Sequence, residues 1–102
     1  MAKRKKRLLD PIHPGEILYE DFLKPMNISM NQLAKQIGVP TGRISQIVNG
    51  KRTISADTAL RLGKFFGVSP ETWLGLQLEY DMRVARRAVK KQLDAIESIK
   101  VA

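Results

Sequence analysis

"NQLAKQIGVPTGRISQIVNGKRTIS", residues 31–55, contains two short amphipathic segments with a glycine between them. Leu33, Ala34 and Ile37 recur at helical spacing before Gly38, and Ile44, Ile47 and Val48 do so after it. Two short helices joined by a tight turn containing glycine form the helix-turn-helix pattern. The residue types fit that geometry. Ala34 is small where the second helix must cross closely. Gly38 admits a positive φ in the turn at no steric cost. Val39 fills the gap between the helices, and Ile44 and Ile47 anchor the second to a core. Thr41, Gly42, Arg43, Ser45 and Gln46 are left facing outward. Arginine and glutamine on an otherwise uncharged face suit the major groove, where Arg pairs with guanine and Gln with adenine.

A plain helical hairpin matches the bare pattern as well. The charge around it favours DNA. Residues 29–53 carry Lys35, Arg43, Lys51 and Arg52 and no acid. Asn49, Lys51 and Arg52 follow directly on the second segment, where phosphate contacts set register.

Working outward, helical periodicity recurs and no alternating strand pattern is sustained. Pro14 suits the first turn of a helix, with Ile17, Leu18, Phe22 and Leu23 on one face and Pro25 breaking or ending it. Ser29 and Gln32 form a capping box for the next helix, and Gly38 stops it. Pro40 opens the following helix, and Asn49-Gly50 closes it. Ser55 caps a fourth, with Ala56, Ala59, Leu60, Leu62, Phe65 and Phe66 as its apolar residues and Gly67 at its end. Ser69-Pro70 starts a long fifth helix, expected from about 70 to 99. The expectation is an all-α, five-helix, lambda-repressor-like domain over residues 13–102, preceded by a flexible basic arm at 1–12.

The chain has 102 residues and a net charge of +8. That length fits one domain, and the charge favours phosphate polymers or acidic partners. There is no cysteine and one histidine, so neither a metal site nor a cofactor is expected. No apolar run reaches the ~18 residues of a membrane span, and a cytoplasmic protein without membrane contact is expected. His13 reads as preceding or capping the first helix, with no catalytic constellation around it. Glu16, Glu20 and Asp21 suit the positive end of that helix. Trp73 and Tyr80 share a face of the last helix and read as core. The KRKKR run at residues 3–7 reads either as a solubilising tail or as an arm reaching DNA.

The stretch "NQLAKQIGVPTGRISQIVNGKRTIS" resembles the helix-turn-helix of the Xre/Cro repressor superfamily. "HPGEILYEDFLKPMNIS", "SADTALRLGKFFGVSPETWLGLQLEYDM" and the "NGKR" corner resemble its HigA/VapI antitoxin branch, over roughly residues 10–90. That resemblance implies a DNA-binding homodimer that represses its own operon and neutralises a RelE-like ribonuclease toxin. It implies no enzyme. Two positions depart from the family pattern. Pro40 stands where Ser or Thr often caps the recognition helix, and Gly42 replaces a side chain that often reads a base.

The outward face and the resemblance together assign Thr41, Arg43 and Gln46 to base edges of an operator. Ser29, Gln32, Lys35, Ser45, Asn49, Lys51 and Arg52 are assigned to phosphates. On the last helix Leu78, Met82, Ala85, Val89, Leu93, Ile96 and Ile99 step close to a heptad seam. Its later part, with Ala85, Val89, Leu93 and Ile96, has nothing left in the chain to cover it and is assigned to a second copy or to the toxin. Two other readings share these features. One is a stand-alone Xre-type repressor with no toxin; the other is a toxin-binding protein with weak DNA affinity.

Overall fold

The computed structural model describes Asp10–Ile99. Among these residues every regular element is helical. The first helix, α1, runs in three consecutive pieces: Pro14–Ile17, a π-helical Leu18–Leu23, and Lys24–Met26. Then come α2 (Met30–Ile37), α3 (Thr41–Val48), α4 (Ala56–Phe66), α5 (Pro70–Ala88) and a short α6 (Lys90–Asp94).

Local signals explain most boundaries. The Ser29 side chain accepts from the Gln32 N–H at 3.0 Å, and the Gln32 side chain accepts from the Ser29 N–H at 2.8 Å. This is the expected capping box, and it satisfies donors that a helix start otherwise leaves orphaned. Gly38 takes φ +73 and ends α2; Val39 N–H then reaches back to the Ala34 carbonyl. The Ser55 and Ser69 side chains cap α4 and α5. His13 caps α1, its Nδ1 accepting from the Gly15 N–H at 2.9 Å.

Pro25 neither breaks nor ends α1, contrary to expectation. The helix continues through it to Met26, and Asn27 closes it at φ 57. A proline inside an α turn loses one hydrogen bond and clashes with the carbonyl four residues back. Here the preceding turn is wider: the Lys24 N–H bonds the Tyr19 carbonyl, five residues back. The wider register gives the ring room. It also brings Leu18 and Leu23, five residues apart, into the core together, both fully buried.

The second departure is α5. The expected helix to residue 99 stops at Ala88, where Val89 leaves helical geometry (φ −115, ψ 24). Only the five residues of α6 follow. Little burial offsets the local cost here, because every residue from Asp81 to Ile99 is exposed. Val89 is β-branched, a weak helix former. Arg86 and Lys90, like Arg87 and Lys91, would stack like charges four apart in a continuous helix.

The core joins Leu18 and Leu23 of α1, Leu33, Ala34 and Ile37 of α2, Ile44 and Ile47 of α3, Ala59 and Leu62 of α4, and Trp73 of α5. Trp73 packs against Phe22, with ring centroids 5.0 Å apart, and against Phe66 at 6.3 Å. Two contacts hold α3 from behind. Gly15 of α1 lies so close to the Ile47 carbonyl that a Cβ there would overlap it. The Ile54 N–H, in the loop after α3, donates to Oε1 of buried Gln77 on α5 at 2.8 Å. Gln77 was not legible as a structural residue; the only clue is a polar side chain on the apolar stripe that also holds Trp73.

Of the expected arm, residues 1–9 lie outside the described residues. Residues 10–12 are half-buried ahead of α1, and the Asp10 carboxylate lies 3.8 Å from the Arg87 guanidinium.

Candidate nucleic-acid interface

The α3 helix buries Ile44 and Ile47 completely and turns Thr41, Gly42 and Gln46 to solvent. Arg43 and Ser45 are half-exposed at the edge of the same face. A Cβ on Gly42 would meet nothing within 4 Å, so neither packing nor backbone conformation requires glycine there.

The corner after α3 is built by hydrogen bonds. The Lys51 N–H bonds the Gln46 carbonyl at 2.8 Å, and the Gly50 N–H bonds the Ile47 carbonyl at 3.0 Å, with Gly50 at φ +74. These are the two bonds of the Schellman motif, which closes a helix and turns the chain sharply. The turn delivers Lys51 and Arg52 beside the end of α3, both exposed.

Most of the residues assigned to DNA also hold one another. The Thr41 hydroxyl donates to Asn31 Oδ1 at 2.6 Å, tying the start of α3 to the start of α2. Arg52 Nε donates to Gln46 Oε1 at 2.8 Å, which leaves the Gln46 amide NH2 and the outer Arg52 nitrogens available. The Asn49 side chain turns back to the Ser45 carbonyl at 2.9 Å, so its amide caps α3. Ser29 and Gln32 cap α2 as described. Lys35 and Lys51 are exposed, with no ion-pair partner among the described residues.

Arg43 is not isolated. Its Nη1 donates to Asp57 Oδ2 at 2.8 Å, and Arg61 Nε donates to the same oxygen at 3.1 Å. Arg61 in turn donates through Nη1 to the Ile37 carbonyl at 2.7 Å. Hydrogen bonds from Arg61 and then Arg43 hold the Asp57 carboxyl below the usual carboxylate range. Asp57 and Arg61 were not identified from the sequence as part of this face. Their own spacing of four residues on one helix was legible; the pairing with Arg43, fourteen residues away, was not.

Asp57 is also the first acid after Asp21, so residues 22–56 present bases alone. Bases outnumber acids on this face, where Asp57 is already paired with Arg43 and Arg61, and a net positive field attracts a polyanion and repels an acidic surface. Elsewhere, burial pushes the His13 imidazole below the usual histidine range, with Asp81 opposing. Its ring packs edge-on against Tyr80 at 4.8 Å. No group of three potential metal ligands occurs among the described residues, and none of their helices is long and apolar enough to cross a membrane.

The residues assigned to a partner chain do not form one helical seam. Ala85 lies on α5, Val89 at its break, Leu93 on α6 and Ile96 beyond it. All four are exposed, as are Leu78 and Met82 earlier on α5.

A family profile described as helix-turn-helix matches residues 20–73. Virulence-associated protein I of Dichelobacter nodosus is 48% identical over 82 residues, spanning 80% of this chain and 76% of its own. Among solved structures, an addiction module antidote protein of a HigA family from Coxiella burnetii superposes with a TM-score of 0.83 at 48% identity. It covers 89% of this chain and 99% of its own. The Pseudomonas aeruginosa antitoxin HigA, solved with the higBA promoter, gives a TM-score of 0.85 at 43% identity, covering 88% and 99%.

Proposed function

The chain belongs to the helix-turn-helix family, within its HigA antitoxin branch, and on that premise we propose that it is a cytoplasmic repressor that binds an operator in its own operon and serves as the antitoxin of a toxin–antitoxin pair. The observation that carries the DNA-binding half is the outward face of α3: Thr41, Arg43 and Gln46 on one side, the Lys51-Arg52 corner at its end, and no acid from 22 to 56. An α-helix fits the major groove, and the corner then lies against a phosphate strand. Thr41, Arg43 and Gln46 approach base edges. Lys35, Lys51 and Arg52 neutralise phosphates, with Ser29, Gln32, Ser45 and Asn49 beside them. The chain is not an enzyme. The second half, neutralising a RelE-like ribonuclease toxin, rests on the family. It is tested by co-purification with the product of the adjacent gene.

Titration of the full chain with duplexes from upstream of its own gene tests the first half. Arg43→Ala is expected to cost about 1–3 kcal/mol on the preferred site and to relax one base position. Equal losses on operator and random DNA would move Arg43 to the phosphate class.

Lys51→Ala is expected to weaken all duplexes alike and to flatten the slope of log K against log salt by about 0.9. Arg52→Ala is expected to do the same and, because it frees the Gln46 side chain, to reduce discrimination as well. An unchanged slope for Lys51→Ala would remove it from the phosphate contacts.

A further inference from the structure

Arginine reads guanine through two parallel N–H donors of one edge of its guanidinium. Arg43 already uses Nη1 on Asp57, which leaves its Nε and Nη2 edge whole. Asp57 is fixed in turn. It lies in the first turn of α4, where the helix dipole favours a carboxylate. Arg61 holds the same oxygen and is anchored by the Ile37 carbonyl at the end of α2. A chain of hydrogen bonds thus runs from the end of one motif helix, through α4, to the arginine on the other.

We infer that Asp57 is a positioning residue for DNA recognition: it holds Arg43 in the orientation that presents its free edge to a base, and so sets how strongly one base pair of the operator is discriminated. This rests on the reading of α3 as the recognition helix. An unrestrained arginine must lose the freedom of a long side chain on binding, and it reaches phosphates as readily as bases. An arginine held by a carboxylate has lost much of that freedom beforehand. The carboxylate itself repels DNA phosphate. Asp57 therefore lowers affinity for all DNA while raising preference at one position.

These opposed effects define the test. The full-length protein is titrated with its preferred upstream duplex, with versions carrying each single base-pair change, and with random duplex, at several salt concentrations. Asp57→Asn keeps the shape and removes the charge. It is expected to reduce preference at the position read by Arg43 roughly tenfold, within the range of one bidentate contact, while random DNA binds as tightly or more tightly. A merely structural defect would weaken both. In an Arg43→Ala background the same substitution is expected to change that preference no further. Arg61→Lys, which keeps the charge but loses the fork joining Asp57 to α2, is expected to shift preference in the same direction by less. Unchanged preference in Asp57→Asn, or an equal change with and without Arg43, overturns the proposal. A wild-type protein with no preference for any upstream site overturns the recognition-helix reading and this one with it.

Discussion

Gly15→Ala is expected to destabilise the fold by about 3 kcal/mol or more. Overpacked side chains usually cost about 1–3 kcal/mol because neighbouring side chains can shift. At Gly15 the new methyl group meets the Ile47 carbonyl, part of the α3 backbone. That oxygen also accepts the Gly50 N–H of the corner. Relief requires α1 to lift away or the end of α3 to move. Either opens the core at Ile44 and Ile47, and a small domain has only about 5–15 kcal/mol to lose. Urea unfolding should show the midpoint falling sharply. Gly42→Ala serves as the control: its methyl group meets nothing, so helix propensity alone should raise stability by up to about 1 kcal/mol. A wild-type midpoint for Gly15→Ala would mean that α1 does not rest on the recognition helix.

The largest effect on DNA binding is expected from assembly. One helix-turn-helix makes few base contacts, and specificity commonly comes from two half-sites about 34 Å apart read by a dimer. We propose that the exposed apolar residues from Leu78 to Ile96 form the contact with a second copy. Six of them are large, and among the described residues they stay open to solvent: Leu78, Met82, Val84, Val89, Leu93 and Ile96 are 38–67% exposed. Because Val89 ends α5, two copies would meet through the last turns of α5 with α6 folded beside them, in place of one extended coiled seam. Val89→Asp combined with Leu93→Asp should leave the circular dichroism unchanged and halve the mass seen by light scattering. Operator affinity should fall roughly a hundredfold to ten-thousandfold, the gain that joining two binding modules provides. A folded double variant that keeps the dimer mass would place the contact elsewhere.

The sequence was most informative where structure is decided within one helical turn. Ser29 with Gln32, Ser55, Ser69, Gly38 and Gly67 all act within a few residues, and each stands where its chemistry indicated. Pro25 misled because its effect depends on the register of the turn before it, which residue type alone does not set. The end of α5 misled for the opposite reason. Lys90, Gln92 and Leu93 are good helix formers, so the pattern runs on past the point where packing stops supporting it. The links that steady the interface, Arg43 to Asp57 and Ile54 to Gln77, join residues 14 and 23 positions apart. No local period reveals such pairs. The composition of the face was legible; the side chains that brace it were not.

The placement of Trp73 makes the protein its own fluorometer. It is the sole tryptophan, 1% exposed between Phe22 and Phe66, and its indole N–H has no hydrogen-bond partner among the described residues. An indole so shielded emits at shorter wavelength than one in water, and the emission shifts to the red when the core opens. Helix α5 packs against α4 and α1, so the signal follows the core and not the groove-facing surface of α3. Unlabelled protein thus reports folding of each variant in the same cuvette in which a dye on the DNA reports binding, and the two channels separate a collapsed domain from an intact one that has lost its operator.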